Sequence, residues 1–325
     1  MPRRLTFPVR PIMTAVALAC LTFAVTACSP SASGANSGAI HPVGSTAASA
    51  AGPVAVVAST DVYGSIVEAI GGDAVSVTSI IDDPNRNPHD YAVDARNQLA
   101  MSKAQLVVEN GGGFDDFVDT MLSALPTRPA VVNVTAVSGY NSKPADGEFN
   151  EHLWYDVPTM VKLTSRLSAE LAALTPASAA KIAANAAAFT SRLQAFEQTE
   201  DGIKARHAGE GVAITEPLPI YLLTAVGLNN KTPEEFSQAV EEGNDVPPAV
   251  MQQTLDLFGS GKVALLAYDA QNSGPQPKAV LAAAQSNDVP VASFTETLPA
   301  GNDYLSWMTK NLQAVSAGLD ASSDR

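Results

Sequence analysis

The chain has 325 residues, with 33 acidic against 19 basic side chains and a formal net charge of −14. This acidic balance argues against a nucleic-acid-binding protein, which needs basic side chains for the phosphates, and is compatible with the attraction of cations. Cysteine occurs only at Cys20 and Cys28, near the N-terminus, which excludes a structural disulfide and a cysteine-type zinc site within the folded domain.

The N-terminal residues have the features of an export signal. Three arginines precede a mostly apolar stretch, 12–25, that is short and polar for a membrane span, since spanning takes roughly 20 apolar residues. Small residues precede Cys28, as at a signal-peptide cleavage site, and a cysteine at the cut resembles a bacterial lipobox. We predict that residues 1–27 are a lipoprotein signal peptide and that Cys28 is lipidated. Cleavage before Cys20 and an ordinary secretory signal are the weaker alternatives.

A Ser-, Ala- and Gly-rich segment follows at residues 28–52. It has too little apolar surface to fold alone, and we interpret it as a flexible tether. A lipid on Cys28 would hold the domain outside the cytoplasm, anchored to the bacterial cell membrane through that lipid only. His41 lies in the tether and is interpreted as a solvated side chain.

Four runs of apolar and β-branched residues predict buried strands in the next part of the chain. These runs are 54–58, 75–81, 105–109 and 130–134. Helical patterns lie between them, the first with Asp61 as its predicted cap, and the alternation predicts a parallel α/β lobe over residues 53–157. The glycines at 111–113 lack a GxGxxG pattern and a Walker lysine, so we interpret them as a tight turn.

An alanine-rich helical stretch occupies residues 159–206 and is interrupted at Thr175-Pro176. Its second part would be about 40 Å long at 1.5 Å per residue, which is long enough to run along two lobes. We assign residues 158–208 to linking helices. His207 lies at the end of this stretch, where it would favour the negative helix terminus, and we expect a structural role for it.

A second α/β pattern fills residues 209–325, with strands predicted at 212–215, 263–268 and 290–294. The predicted fold is therefore two parallel-sheet α/β lobes joined by a long rigid helix. Ligands of open α/β sheets bind in the crevice outside the carboxyl ends of the strands. Two such lobes that face each other would form one shared crevice.

Four side chains with metal-binding chemistry lie where the lobes would meet. His89 and His152 each follow a polar loop in or bordering the first lobe, whereas Glu216 and Glu296 each follow a strand of the second. Two imidazoles and two carboxylates suit a first-row divalent ion, because imidazole is typical of zinc or iron sites and carboxylate of manganese sites. Each residue taken singly also fits a solvated loop side chain, and the spacing alone leaves that alternative open.

Four segments resemble motifs of one family, the metal-binding lipoproteins of zinc and manganese ABC importers. These segments are Asn87-Pro88-His89-Asp90-Tyr91, Glu109-Asn110-Gly111 with Asp115, His152-Leu153-Trp154-Tyr155-Asp156 and Phe294-Thr295-Glu296-Thr297. In that family they correspond to the first ligand loop, an Asn-Gly turn, the second ligand motif and the fourth ligand segment. The resemblance extends over residues 54–319 and implies two lobes with a rigid helix between them.

The resemblance implies that His89, His152, Glu216 and Glu296 bind Mn²⁺ or Zn²⁺ as transported cargo. Each imidazole would bind through one ring nitrogen and donate the other N–H to a neighbouring acceptor. Asp156 would organise the second motif through a helix cap and would not touch the metal. Zinc members commonly have histidine at the position of Glu216 and a histidine-rich loop before the second ligand. The chain has neither, which weakens a zinc assignment and favours manganese. Pro217-Leu218-Pro219 also replaces a more regular stretch after the third ligand, and these departures make Glu216 the least secure of the four ligands.

The resemblance also implies an ABC permease and its ATPase as partners, and a monomeric protein without enzymatic activity. Two other functions remain open from the residues alone: an exported metal-dependent hydrolase, and a lipoprotein that binds an organic solute. The absence of HExxH and GxSxG motifs argues against the first. An aromatic content of 6% argues against a sugar-stacking groove for the second.

Overall fold

The computed structural model describes residues 52–83, 91–145, 148–272 and 274–323. The predicted signal peptide, nearly all of the tether, Cys28 and His89 lie outside the described residues. Within the described part, none of the helices is both long and apolar enough to cross a membrane.

The first lobe is a parallel sheet flanked by helices, as the alternation of patterns predicts. Its strands are β1 (Val54–Thr60), β2 (Val75–Ile81), β3 (Leu106–Glu109) and β4 (Ala130–Asn133). Its helices are α1 (Asp61–Gly71), α2 (Ala95–Lys103), α3 (Asp116–Ser123) and α4 (Val134–Ser138). The strands lie in the order β2-β1-β3-β4, and each neighbouring pair is parallel.

Two helices follow in the part predicted to link the lobes. They are α5 (Val157–Leu174) and α6 (Ala179–His207), separated by a single 3₁₀ turn at Pro176–Ser178. The proline therefore interrupts the helical stretch where the sequence predicts a break. The 29 residues of α6 correspond to about 44 Å at 1.5 Å per residue.

The second lobe repeats the topology of the first. Its strands are β5 (Gly211–Ile214), β6 (Asn229–Asn230), β7 (Leu265–Asp269) and β8 (Val291–Phe294). Its helices are α7 (Ile220–Ala225), α8 (Glu234–Glu241), α9 (Pro248–Gly259), α10 (Pro275–Ser286) and α11 (Tyr304–Ser323). The order β6-β5-β7-β8 is again parallel throughout. In each sheet, therefore, the carboxyl ends of all four strands lie at the same edge.

One apolar core continues across both lobes. Val56 of β1, Phe196 of α6 and Leu265 of β7 belong to the same buried cluster. The alternate residues Val57 and Leu266 point to the opposite faces of their sheets, into separate outer clusters. Each sheet is thus covered on both faces, which explains why its strands are continuous apolar runs in the sequence.

Helix α6 and direct hydrogen bonds connect the two lobes. The helix packs against α1 and α5 on the first-lobe side and against α7 and α11 on the other. The Tyr155 hydroxyl donates to the carbonyl of Thr295 at 2.8 Å, and the Tyr304 hydroxyl donates to the carbonyl of Trp154 at 2.8 Å. A shared core with buried cross-lobe hydrogen bonds resists large changes in the angle between the lobes.

Asp61 does not cap α1, in contrast to the sequence prediction. The N-cap is Thr60, and Asp61 is the first residue of the helix. Its carboxylate instead accepts a hydrogen bond from the backbone N–H of Leu298 in the second lobe, at 3.2 Å. The Asp61 side chain, which the local pattern predicts to be the cap, is therefore engaged in a contact with a residue distant in the sequence.

Candidate metal centre

His152 lies at the end of the first lobe, directly before a 3₁₀ turn at Leu153–Tyr155. Its side chain is completely buried. The ring meets Trp154 edge-on with 5.2 Å between centroids, and Phe114 lies 6.3 Å away on a similar edge contact. These two aromatic rings restrict the imidazole to one orientation.

Asn150 sets the tautomer of His152. The Asn150 Oδ1 lies 2.7 Å from Nδ1 of the ring and also accepts the His152 backbone N–H at 3.0 Å. The Asn150 Nδ2 donates to the carbonyl of Pro217 in the second lobe at 3.0 Å, which orients the amide. Because Oδ1 can only accept, Nδ1 carries a proton, and Nε2 is the ring nitrogen that presents a lone pair when the ring is neutral.

The Nε2 atom of His152 faces carboxylates of the second lobe. Glu241 Oε1 lies 3.6 Å from it and Glu296 Oε1 lies 4.0 Å from it. Within the described residues, neither Nε2 nor Glu241 Oε1 has a hydrogen-bond partner. Glu151, His152 and Glu241 each offer a ligand atom, and these atoms lie within 4.8 Å of one another. This geometry can accommodate a cation.

Glu216 and Glu296 occupy equivalent places in the second lobe. Each lies two residues beyond a strand end, Glu216 after β5 and Glu296 after β8, and both are buried. Glu216 accepts a hydrogen bond from the amide of Asn272. It lies close enough to His152 and Glu296 for their charges to act on its pKa. The strand-end rule therefore locates both side chains at the same edge of the sheet.

A loop after β7 supports these two glutamates. Asp269 accepts the backbone N–H groups of Gln271 at 2.9 Å and Asn272 at 3.0 Å, which shapes the loop. Asn272 then holds the Glu216 carboxylate, and the Gln271 side-chain oxygen accepts the backbone N–H of Glu296. This loop thus holds the Glu216 carboxylate and the backbone of Glu296 in place through hydrogen bonds.

The pKa values of the cluster reflect carboxylates that lie close together and are buried away from solvent. Burial, followed by the nearby charge of Asp269, raises the pKa of Glu216. Burial also raises the pKa of Glu241, to about 7. Burial alone would lower the pKa of His152, but the carboxylates of Glu296, Glu241 and Glu151 outweigh it and raise that pKa to about 9. A bound cation would stabilise the ionised carboxylates.

The glycine turn of the first lobe positions the segment that carries His152. Asp115 accepts the backbone N–H groups of Asn110 and Gly111, both at 2.7 Å, and the Asn110 amide donates to the carbonyl of Glu151 at 2.9 Å. Gly112 has φ +71, and a Cβ there would lie 2.5 Å from the Phe149 ring. The turn is a structural support, in line with its interpretation from sequence.

A cleft of about 940 Å³ opens beside the cluster. Gly112 and Glu151 of the first lobe line it together with Glu241 and Asn272 of the second. The cleft therefore reaches Glu151 and Glu241 of the cluster, whereas His152, Glu216 and Glu296 lie behind its lining.

Comparison with known proteins gives the family of the chain. The family described as ZnuA, zinc-uptake complex component A, periplasmic, matches residues 56–318. The chain belongs to the ZnuA family. Its likeness extends over both lobes and the helices between them, in agreement with the resemblance seen in the motifs.

Curated relatives of this ZnuA-family chain are metal-binding lipoproteins by name. The manganese-binding lipoprotein MntA of Halalkalibacterium halodurans is 26% identical over 143 residues, which are 44% of this chain and 47% of MntA. The zinc-binding lipoprotein AdcA of Streptococcus pneumoniae serotype 4 is 24% identical over 272 residues, 77% of this chain and 53% of AdcA. The chain spans about half the length of these relatives.

Solved structures share the two-lobe fold. The binding protein FpvC of Pseudomonas aeruginosa, solved in complex with Mn²⁺, superimposes with a TM-score of 0.68 at 23% identity. The match covers 83% of this chain and 99% of FpvC. The likeness confirms the predicted fold of two parallel-sheet lobes joined by helices.

Asp156 is the last residue of the proposed second ligand motif and directly precedes α5. Its carboxylate accepts the backbone N–H of Thr159 at 3.1 Å, and Pro158 lies in the first turn of the helix. The side chain thus caps α5, and it also accepts a hydrogen bond from Tyr140 at 3.3 Å.

Sequence reasoning missed Glu241, Asn150 and Asp269. Glu241 follows no strand, so the strand-end rule does not select it. A helical period would have helped, because Ser237 and Glu241 share one face of α8 with the buried Val240. Asn150 and Asp269 have no motif of their own, and only their hydrogen bonds in the folded chain reveal what they orient.

Proposed function

We propose that this protein is the extracytoplasmic solute-binding lipoprotein of an ABC importer. It captures Mn²⁺ or Zn²⁺ between its two lobes and delivers the ion to the permease. One observation carries the proposal: the buried His152 has an unpartnered Nε2, within the described residues, that faces carboxylates of the opposite lobe. A buried nitrogen without a partner that faces carboxylates is unfavourable away from water unless a cation binds between them.

The proposed ligands are His89, His152, Glu216 and Glu296. The geometry of His152 and Glu296 and the location of Glu216 support this set, whereas His89 remains a prediction from its loop motif. Two carboxylates beside two imidazoles favour Mn²⁺, although the general affinity order favours Zn²⁺. Relatives named as manganese-binding and as zinc-binding are consistent with either cargo.

The architecture suits capture and release more than catalysis. We propose a first lobe at 53–157, linking helices at 158–208 and a second lobe at 209–325. The core shared along α6 restricts lobe closure, so release would follow small movements at the cleft. Membership in a family described as an uptake component supports a non-enzymatic role with an ABC permease and its ATPase as partners.

The proposed anchoring completes this function. Removal of residues 1–27 would leave Cys28 as the lipid-bearing N-terminus, and residues 28–52 would tether a monomeric domain to the outer side of the cell membrane. The names of the curated relatives, both lipoproteins, support this arrangement.

The direct test is elemental analysis of the purified full chain after competition between Mn²⁺ and Zn²⁺. We expect about one ion per chain, since one cluster of ligands is proposed. Metal-loaded protein should not hydrolyse ester or phosphate substrates. A chain that retains neither ion after loading would overturn the proposed function, and metal-dependent turnover would favour the hydrolase alternative.

A further inference from the structure

Glu241 is the carboxylate that lies nearest to the free ring nitrogen of His152 among the ion pairs of the described residues. It is the last residue of α8. Its Oε1 is 3.6 Å from Nε2, compared with 4.0 Å for Glu296. No motif of the family resemblance includes Glu241.

The distance between these two atoms is informative. A direct N–H···O hydrogen bond is about 2.7–3.2 Å long, so 3.6 Å is too far for one. Two donors that each lie about 2.1 Å from a tetrahedral ion are about 3.4 Å apart. The observed separation is therefore close to that of two ligands of one ion. Both atoms are buried and, within the described residues, without a hydrogen-bond partner. A shared ion would give each of them a partner.

Helix α8 holds Glu241 in this place. Phe236, Ser237 and Val240 form the buried face of the helix, and Glu241 lies on that face one turn after Ser237. The next residue, Glu242, is exposed and accepts a hydrogen bond from Asn244 at 2.6 Å. The two neighbouring glutamates thus have different environments. Because α8 packs on the face that carries Glu241, this packing directs the Glu241 side chain inward and leaves that of Glu242 in solvent.

We propose that Glu241 binds the captured ion directly, as a carboxylate ligand in addition to the four predicted ones. This inference rests on the proposed function. A third carboxylate makes the site richer in oxygen donors and raises the number of ligands above the four of a tetrahedral zinc site. Both effects favour Mn²⁺ over Zn²⁺, since carboxylate oxygen suits manganese and imidazole suits zinc.

Calorimetric titration of the full chain with Mn²⁺ tests this ligand. The Glu241→Gln variant keeps the size of the side chain and should bind Mn²⁺ at least about tenfold more weakly than wild type. The matched control, Glu242→Gln, should remain within twofold of wild type. A Glu241→Gln variant with wild-type affinity would overturn the inference and leave the proposed function intact. A wild-type chain that binds neither Mn²⁺ nor Zn²⁺ would instead overturn both.

A spectroscopic test separates ligation from a merely electrostatic effect. In a Glu241→Cys variant loaded with Co²⁺, a thiolate on the ion should produce a sulfur-to-cobalt charge-transfer band in the near ultraviolet. Wild type and Glu242→Cys, which retain Cys20 and Cys28 to the same extent, should lack the band. A Glu241→Cys protein that binds Co²⁺ without this band would show that residue 241 does not touch the ion.

Discussion

Two buried histidines of this chain have opposite surroundings. His207, the last residue of α6, has a carboxylate at each ring nitrogen, with Glu210 2.9 Å from Nδ1 and Asp320 3.0 Å from Nε2. His152 has Asn150 at Nδ1, but its Nε2 lies 3.6 Å from the nearest carboxylate oxygen. Both side chains are at most 4% exposed, so burial alone does not distinguish them.

The difference shows how a structural histidine differs from a candidate ligand. Both ring nitrogens of His207 have a partner, and the hydrogen bond to Asp320 joins the end of α6 to α11. On one side of the His152 ring, Nδ1 has a hydrogen-bond partner. On the other side, Nε2 has no such partner within the described residues and is open to a further group. The following experiments test this contrast, from the largest expected effect to the smallest.

Substitution of His152 should have the largest effect on metal binding. We expect His152→Ala to weaken Mn²⁺ and Zn²⁺ binding about 100-fold or more, because it removes a ligand and leaves carboxylates uncompensated. Calorimetric titration measures the loss. His207→Ala is the matched control and should bind both ions within threefold of wild type. Equal losses in the two variants would contradict the contrast between the histidines.

Substitution of His207 should instead affect stability. His207→Ala removes the hydrogen bonds of this buried ring to Glu210 and to Asp320 of α11, and we expect the free energy of unfolding to fall by about 2 kcal/mol. Urea denaturation of the metal-free protein measures this change. If the variant unfolds at the same urea concentration as wild type, the interpretation of His207 as a structural residue is wrong.

Removal of the Asn150 side chain should weaken metal binding without removing a ligand. Asn150→Ala frees the His152 ring to change its tautomer and orientation, and we expect about a tenfold loss of Mn²⁺ affinity. The control is Asn185→Ala on α6, which loses a hydrogen bond to the carbonyl of Ile70 away from the cluster. An Asn150→Ala variant with unchanged affinity would show that this contact does not orient the ring.

Glu200 on α6 tests whether an unpartnered buried atom is sufficient to mark a ligand. Its Oε1 is also buried without a hydrogen-bond partner within the described residues. Burial, followed by the charges of Glu197, Asp156 and Asp201, raises the pKa of Glu200 to about 8. We interpret Glu200 as a destabilising acid and not as a ligand, so Glu200→Gln should leave Mn²⁺ affinity within twofold of wild type.

The same variant should change the dependence of stability on pH. Between the ordinary pKa of 4.5 and about 8, the folded state holds the Glu200 proton while the unfolded state has lost it. The folded state is therefore favoured less and less as pH rises through this window. We expect Glu200→Gln to be more stable than wild type by about 1–3 kcal/mol above pH 8, and to differ little near pH 4. Denaturation at both pH values measures this, and a constant difference would contradict it.

The course of the backbone was largely predictable from local patterns. Apolar β-branched runs locate the strands, and Pro176 interrupts the helical stretch where a proline must. The errors are the short strand β6, whose two asparagines form no apolar run, and the ends of elements. Thr60, and not the predicted Asp61, is the N-cap of α1, since the Asp61 carboxylate accepts the backbone N–H of Leu298 in the second lobe. Such boundaries depend on contacts that no local propensity records.

The candidate site was predictable only in part. His152 and Glu296 are brought within 4.0 Å of each other, and the strand-end rule explains why a residue after β8 reaches the crevice. Glu216 lies in the same acidic region, while His89 stays a prediction from its motif. Glu241 and Asn150 were not predicted, because neither belongs to a metal-site motif and the helical period indicates only that Glu241 shares the buried face of α8.

The sequence by itself determined the class of this protein: a long acidic chain with a predicted export signal, two βα alternations, a long helix and paired histidine motifs. The acidic charge is a sum over all residues, and each of the other features is a pattern of residues that lie near one another in the chain. Only the tertiary structure decided which polar atoms are buried without a partner and which are satisfied. That property belongs to pairs of residues far apart in the chain, such as His152 with Glu241 and His207 with Asp320, and their separation is set by the packing of the two lobes.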